Sequence, residues 1–291
     1  MTSQVKESGP LCSYHAAMNA AASPIRTASR ATPRPFGEHL RHWRQHRRLS
    51  QLDLASDAAI STRHLSFVET GRASPSREMV LRLAERLQVP LRERNALLVA
   101  AGYAPMYRER PLDDPALAAA RRAVDLILKG HEPYPALAVD RHWNLVAANA
   151  MVPHLLEGAD RSLLQPPVNV LRLSLHPLGL APRIVNLAQW RRHLFERLRQ
   201  QLQQTGDGAL AALLEELQAY PAPGADQPEL EGEHVGIAMP LQFRSPRGVL
   251  SFISTTTVFG TANDVTLQEL TLETFFPADE ATASVLRDLH G

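Results

Sequence analysis

The sequence predicts an α+β chain: an all-α N-terminal domain of five short helices, then a larger domain whose antiparallel sheet carries helices on one face. Three features lead to this class. Between Phe36 and Tyr103, apolar residues recur at helical spacing in short blocks bounded by Ser, Pro or Gly. After Pro135 the period shortens to strand-like alternation, first at Leu137 and Val139 and again towards the C-terminus. Charge divides the chain at about the same place: residues 34–110 hold 14 Arg against 8 Asp and Glu, and residues 111–291 hold 14 Lys and Arg against 21 acids. A basic N-terminal third joined to an acidic remainder suits one part that meets a polyanion and another that does not. Ordinary surface variation is the competing reading.

The 291 residues divide into four expected parts: a tail (1–33), the helical domain (34–103), a linker (104–116) and the sheet domain (117–291). The tail is rich in Ala, Ser and Pro without apolar periodicity, so disorder is expected there, and Met18 is an alternative start to Met1. The single cysteine, Cys12, excludes an internal disulfide and argues against a Cys-based metal site. No apolar run approaches the ~18 residues of a membrane span, and the N-terminus lacks a secretory layout, so a cytoplasmic location off the membrane is expected. The 12 histidines are scattered. Without a His-Glu-x-x-His, a Gly-x-Ser-x-Gly elbow or a Gly-rich phosphate loop, no enzyme, metal or cofactor is expected.

Phe36, Leu40 and Trp43 form one stripe of a first helix that ends in the basic run Arg44 to Arg48; Arg41, Arg44, Arg47 and Arg48 read as a solvated face. Ser50 is placed to cap a second helix facing inward through Leu54, Ala55 and Ala58. Ser61 caps a third, from Thr62 to Thr70, with Leu65 and Val68 buried and Gly71 ending it in a left-handed turn. Ser76 caps a fourth, with Met79, Leu83 and Leu87 inward, and a fifth carries Leu97 and Leu98 up to Gly102.

Leu49-Ser50-Gln51-Leu52-Asp53-Leu54-Ala55, Ile60-Ser61, Leu65-Ser66, Glu69-Thr70-Gly71-Arg72, Pro75-Ser76 and Leu83-Ala84 carry a resemblance to the Xre/Cro-like helix-turn-helix family, with its spacing intact over about 60 residues. The resemblance implies a lambda-repressor-like fold that binds a double-stranded DNA operator. Its third helix would lie in the major groove, presenting Thr62, Arg63, Ser66 and Phe67, with His64 beside them. Arg63 suits guanine O6 and N7, and Thr62 a base or a thymine methyl. Phe67 has two readings, a contact on thymine methyls or a satellite core position. Gln51, Ser61, Thr70 and Arg72 match positions that hold phosphates in the family. Glu69 is expected to bond within the module and brace the loop at Gly71. One departure is Ala59, which stands where the family has glycine in the turn, so the chain must accept strain there or shift the turn. A single module buries too little for sharp operator choice, so a homodimer on a near-palindromic site is expected.

In the second domain, helices are expected at Leu117–Leu128, Ala150–Leu156, Gln189–Gln204 and Ala209–Leu217. Strands are expected on both sides of a turn at Asp140-Arg141, at Met239–Phe243 and Val249–Phe259 around a Ser245-Pro246-Arg247-Gly248 hairpin, and through the alternating run Thr266–Phe276. The run Pro135-Ala136 to Asn149 with Asp140 and Trp143, Asn169-Val170-Leu171-Arg172-Leu173, and Trp190 resemble the PAS-like ligand-binding domain of MmyB-like regulators; residues 221–234 depart from that pattern. The resemblance implies an apolar small molecule, a fatty acid or acyl chain, between sheet and helices. Trp143, Leu171, Trp190, Leu194, Phe252 and Phe275 are the apolar candidates to line that site, although large apolar groups of this kind are more often simple core. Asn149 reads first as a backbone-bonding cap and second as a ligand hook, and His176 as a polar group in the pocket. Arg183, Arg191 and Arg192 suit a carboxylate, although exposed helix arginines seldom act so specifically.

Overall fold

The computed structural model describes residues 34–221, 239–260 and 262–291. The expected tail and, apart from Pro221, the divergent stretch 221–234 lie outside the described residues.

The N-terminal domain consists of α1 (Phe36–His46), α2 (Gln51–Asp57), α3 (Thr62–Glu69), α4 (Arg77–Arg86) and α5 (Leu91–Ala100). The capping serines set the boundaries. Ser50 forms a capping box with Asp53, Ser61 accepts from His64 N–H and Ser76 from Met79 N–H, each satisfying a donor that the helix itself leaves free. Leu40, Trp43, Leu54, Leu65, Val68, Leu83, Leu87, Leu97 and Leu98 close one core. Met79 is only partly buried, and its neighbour Val80 takes the inward position instead. Gly37 lets α1 touch the end of α3: a Cβ there would stand 2.3 Å from the Glu69 carbonyl oxygen.

After Pro115–Leu117 come α6 (Ala118–Gly130), β1 (Ala136–Val139), β2 (Leu145–Ala148), α7 (Val152–Leu156), α8 (Val170–Leu175), α9 (Leu187–Thr205), α10 (Gly208–Ala219), β3 (Pro240–Ser245), β4 (Gly248–Val258), α11 (Val265–Gln268), β5 (Thr271–Pro277) and α12 (Glu280–His290). The strands form one antiparallel sheet in the order β2-β1-β5-β4-β3, so the chain is α+β as predicted. Leu137 and Val139 face the main core with α8, α9 and α10. Their alternates Ala136 and Ala138 meet Val124 and Leu128 of α6 in a smaller cluster, which adds a helix to the other face.

One expected strand divides. The alternating run Thr266–Phe276 is helical over Val265–Gln268 and extended only from Thr271. Asp264 causes the break by accepting from Thr266 N–H at 3.0 Å, which starts a helical turn that no period-two pattern registers. The segment expected as a linker is fastened rather than free. Asn95 of α5 donates to Tyr107 O at 2.6 Å, and Val265 N–H donates to Arg108 O at 2.8 Å.

The two domains touch through helix ends. Arg47, which caps the C-terminus of α1, donates to the carbonyls of Gln203 and Gln204, each at 3.3 Å, at the C-terminus of α9. In return, α5 begins at Pro90 without a cap of its own, and Gln268 Oε1 accepts from Leu91 N–H at 2.9 Å. Arg92 and Glu269 form a two-bond pair at 2.8 and 2.9 Å beside it. Among the described residues no helix is long and apolar enough to cross a membrane.

Candidate functional site

The short helix α3 stands on three buried residues, Leu65, Val68 and Glu69, and turns its other face outward. Arg63 is exposed, and Thr62, His64, Ser66 and Phe67 are half-buried on that helix. The Phe67 ring lies between two guanidiniums, with Arg63 Cζ at 5.4 Å and Arg72 Cζ at 6.0 Å from its centre. One aromatic thus holds together the side chain expected to read a base and one expected to hold a phosphate. Ser61 Oγ is engaged as the cap of α3, and Thr70 Oγ1 donates to Ser66 O at 2.8 Å. Ser61 Oγ only accepts in that bond and keeps its O–H free to donate to a phosphate oxygen, whereas Thr70 has committed its one proton to Ser66 O and must turn it away to meet a phosphate. Arg72 is exposed beyond Gly71, which takes the left-handed conformation at φ +72°.

Glu69 and its partners correct two expectations. Glu69 bonds within the module as expected, but to neighbouring helices rather than to the loop at Gly71. It is buried and accepts from Arg44 Nε at 2.6 Å and Nη2 at 3.0 Å, and from Gln51 Nε2 at 2.7 Å. The carboxylate therefore ties α3 to α1 and α2 and fixes the angle at which the reading helix is presented. Burial pushes the Glu69 pKa up, but the bonds from Arg44 and Gln51 outweigh it and hold the carboxyl below its ordinary value. Arg44 is consequently no part of a solvated face; Nη1 also donates to Leu49 O at 2.8 Å. Arg47 is likewise bonded, to Leu87 O at 2.9 Å and Gln88 O at 3.1 Å as well as to α9. The sequence did carry a signal for Arg44: it follows Leu40 by four residues on the buried stripe. Ala59 accepts the strained turn, with φ at 54°, and the connection keeps its hydrogen bonds, Ile60 N–H to Ala55 O at 2.9 Å among them.

In the second domain Trp143, Leu171, Trp190, Leu194 and Phe252 do converge, in one buried cluster against which Phe275 packs. All five are buried members of the domain's main hydrophobic core, and the Phe252 and Phe275 rings meet edge-on. Trp143 Nε1–H donates to Gln201 Oε1 at 2.8 Å, and Trp190 Nε1–H to Ser174 Oγ at 3.0 Å. Asn149 is fully engaged: Oδ1 accepts from Ala136 N–H at 3.1 Å, and Nδ2 donates to Tyr134 O at 2.7 Å and Leu128 O at 3.2 Å. That arrangement clamps β1 to the end of α6 and leaves little for a ligand. His176 ends α8, where its Nδ1 accepts from Leu178 N–H at 3.0 Å and its ring stands edge-on to Tyr220.

Arg191 corrects the expectation of an exposed helix arginine: it is buried. Arg183 is bonded to the carbonyls of Arg244 and Leu155, each at 3.2 Å, and lies 4.2 Å over the Phe243 ring. An open groove of about 810 Å³ lies between the domains; charged Arg92, Glu93, Arg141, Asp207 and Glu269 line it, and Trp143 of the apolar cluster forms part of its wall. There the hydrogen bond from His142 holds the Asp207 carboxyl down at about 2 against the opposing effect of burial. Glu93, with burial as the leading cause, is pushed up.

Residues 120–289 match the family profile described as MmyB-like transcription regulator ligand binding domain, and residues 35–97 match that of a helix-turn-helix domain. No curated protein matches the chain at a significant level. A module of this fold joined to a ligand-binding domain of this kind defines a DNA-binding transcription regulator. The ligand-binding match alone spans more than half of the residues, so the chain belongs to the MmyB-like transcription regulators.

Proposed function

We propose that this regulator binds a specific operator as a homodimer and that an apolar small molecule, a fatty acid or acyl chain, taken up by the C-terminal domain changes its affinity for that operator. The observation that carries the reading is the apolar cluster of Trp143, Leu171, Trp190, Leu194 and Phe252 inside the matched ligand-binding domain. Arg63 contacts guanine, Thr62 and Phe67 meet a neighbouring base or thymine methyl, and Gln51, Ser61, Thr70 and Arg72 hold phosphates. Two modules on a near-palindromic site, about 34 Å apart, supply the surface that one lacks.

Ligand binding shifts the population between arrangements of the two modules and so the spacing of the reading helices. The bonds between α1 and the end of α9 give that shift a route, because α9 contributes Trp190, Leu194 and Leu198 to the cluster. The members of the cluster are themselves buried core residues, as a purely structural domain would have them. That observation favours one alternative, in which the C-terminal domain serves dimerisation or protein contact alone.

Selection of binding sites from random DNA, repeated with and without cell lipid extract, tests the whole. An operator preference that changes with lipid is the expected result. A preference indifferent to lipid, in protein whose denatured extract contains no stoichiometric lipid by mass spectrometry, selects the alternative.

A further inference from the structure

Helix α9 carries a side chain that packing alone does not account for. Its buried stripe runs Leu187, Trp190, Arg191, Leu194 and Leu198, so a guanidinium stands where the pattern asks for an apolar group. Arg191 is 8% exposed. Its Nη2 reaches the Leu217 carbonyl of α10 over a long 3.4 Å, and its Cζ lies 5.3 Å from the centre of the Phe195 ring. Nη1 is buried with no hydrogen-bond partner among the described residues. Burial lowers the pKa of the group, yet an arginine does not escape by losing its proton. A buried charge without a counter-ion is strongly disfavoured, and in folded proteins such charges are paired. The guanidinium fork matches a carboxylate in shape and charge. The two helices that Arg191 bridges carry Leu194, Leu213 and Leu217 of the main apolar core.

We infer that Arg191 is the anion anchor of the ligand-binding domain: it takes the carboxylate of a free long-chain acid whose hydrocarbon tail lies in the apolar cluster. The inference rests on the apolar-ligand reading above and narrows it, since neutral esters, amides and alcohols of the same chain length lack the group that Arg191 requires. Arg183 does not serve this purpose, being held by backbone carbonyls at 3.2 Å.

The test uses the full chain stripped of lipid and titrated with dodecanoate and with dodecanol. The wild type is expected to bind the acid about tenfold or more tightly than the alcohol, the preference that one charge-assisted pair supplies. Arg191→Met is expected to keep dodecanol binding and bring the ratio close to one. Arg191→Lys, which keeps the charge and loses the fork, restores part of the preference. In the ligand-free state Arg191→Met is expected to melt at or above the wild-type temperature, because among the described residues no acid loses a partner. A ratio unchanged in Arg191→Met, or equal binding of both probes to the wild type, overturns the anchor and leaves the apolar-ligand reading standing. A marked fall in the ligand-free melting temperature overturns it too, by showing that the chain already supplies the anion. If neither probe binds the wild type, the apolar-ligand reading falls and takes the anchor with it.

Discussion

Each domain places an arginine on the buried stripe of a helix, and the two meet opposite surroundings. Arg44 of α1 finds the carboxylate of Glu69 at 2.6 Å, and the hydrogen bond to Glu69 raises its pKa. Arg191 of α9 finds a carbonyl at 3.4 Å, and burial lowers its pKa. The reading module is thus closed on itself: its buried charge is matched inside the fold, so the recognition helix has one fixed presentation. The ligand-binding domain holds in its core a guanidinium that meets no carboxylate among the described residues, the group to which the inference above assigns a ligand. A fixed reader behind a responsive core is the division of labour that a ligand-controlled regulator needs.

The sharpest way to break this contrast is to give the first domain the defect of the second. Glu69→Ala strands Arg44, whose side chain is 11% exposed, and is expected to destabilise the module by about 3 kcal/mol or more. Denaturant unfolding measures the loss; a change near zero would show the charge to be solvated and the contrast false. The same bond sets a pH dependence. The Glu69 carboxyl is depressed in the folded state, so its contribution is fully present above the ordinary carboxylate range and is lost as pH falls through the folded value. Glu69→Gln should flatten that acid limb.

The outer face of the same helix should respond through binding rather than stability. Arg63→Ala is expected to lose about 1–3 kcal/mol of discrimination at one base pair while nonspecific affinity changes little. Arg72→Ala should weaken all sequences alike and reduce the salt slope by about 0.9. Competition titrations over a range of salt separate the two. If operator preference survived Arg63→Ala, the reading face would lie elsewhere.

How legible each domain was follows from where its determinants act. The module was readable because its signals are local: Ser50, Ser61 and Ser76 cap helices within three residues of themselves. The bonding of Glu69 within the module was expected, but its partners were missed because they lie 25 and 18 residues away on other helices, which spacing along one helix does not reveal. In the second domain the strands were found by alternation, but α11 was hidden because Asp264 sets its start by a side-chain bond. The burial of Arg191 was available in the sequence, four residues from Leu187 and three from Leu194, and was outweighed by the habit of arginine to face water.

Ala59 offers a milder test of the fixed reader. Its φ of 54° costs an alanine about 1–2 kcal/mol relative to glycine's freedom there, offset in part by the unfolded-state entropy of glycine. Ala59→Gly is therefore expected to stabilise the module by about 0.5–1 kcal/mol with operator preference unchanged. A change in preference would mean that the strain itself tilts α3.

The smallest expected effect bears on whether the two domains act as one. Gln268 supplies to α5 the N-terminal cap that Pro90 lacks, and Arg92–Glu269 holds the pair together. Gln268→Ala should cost about 0.5 kcal/mol, the low end for a lost cap. Its diagnostic consequence is cooperativity: the wild type should melt in one transition, and Gln268→Ala combined with Arg92→Ala should resolve two. If scanning calorimetry showed a single transition in the double variant, these contacts would not be what couples the domains. The hydrogen bonds of Arg47 to the end of α9 would then carry the coupling, with Arg47→Ala as the variant to separate the reader from the core that controls it.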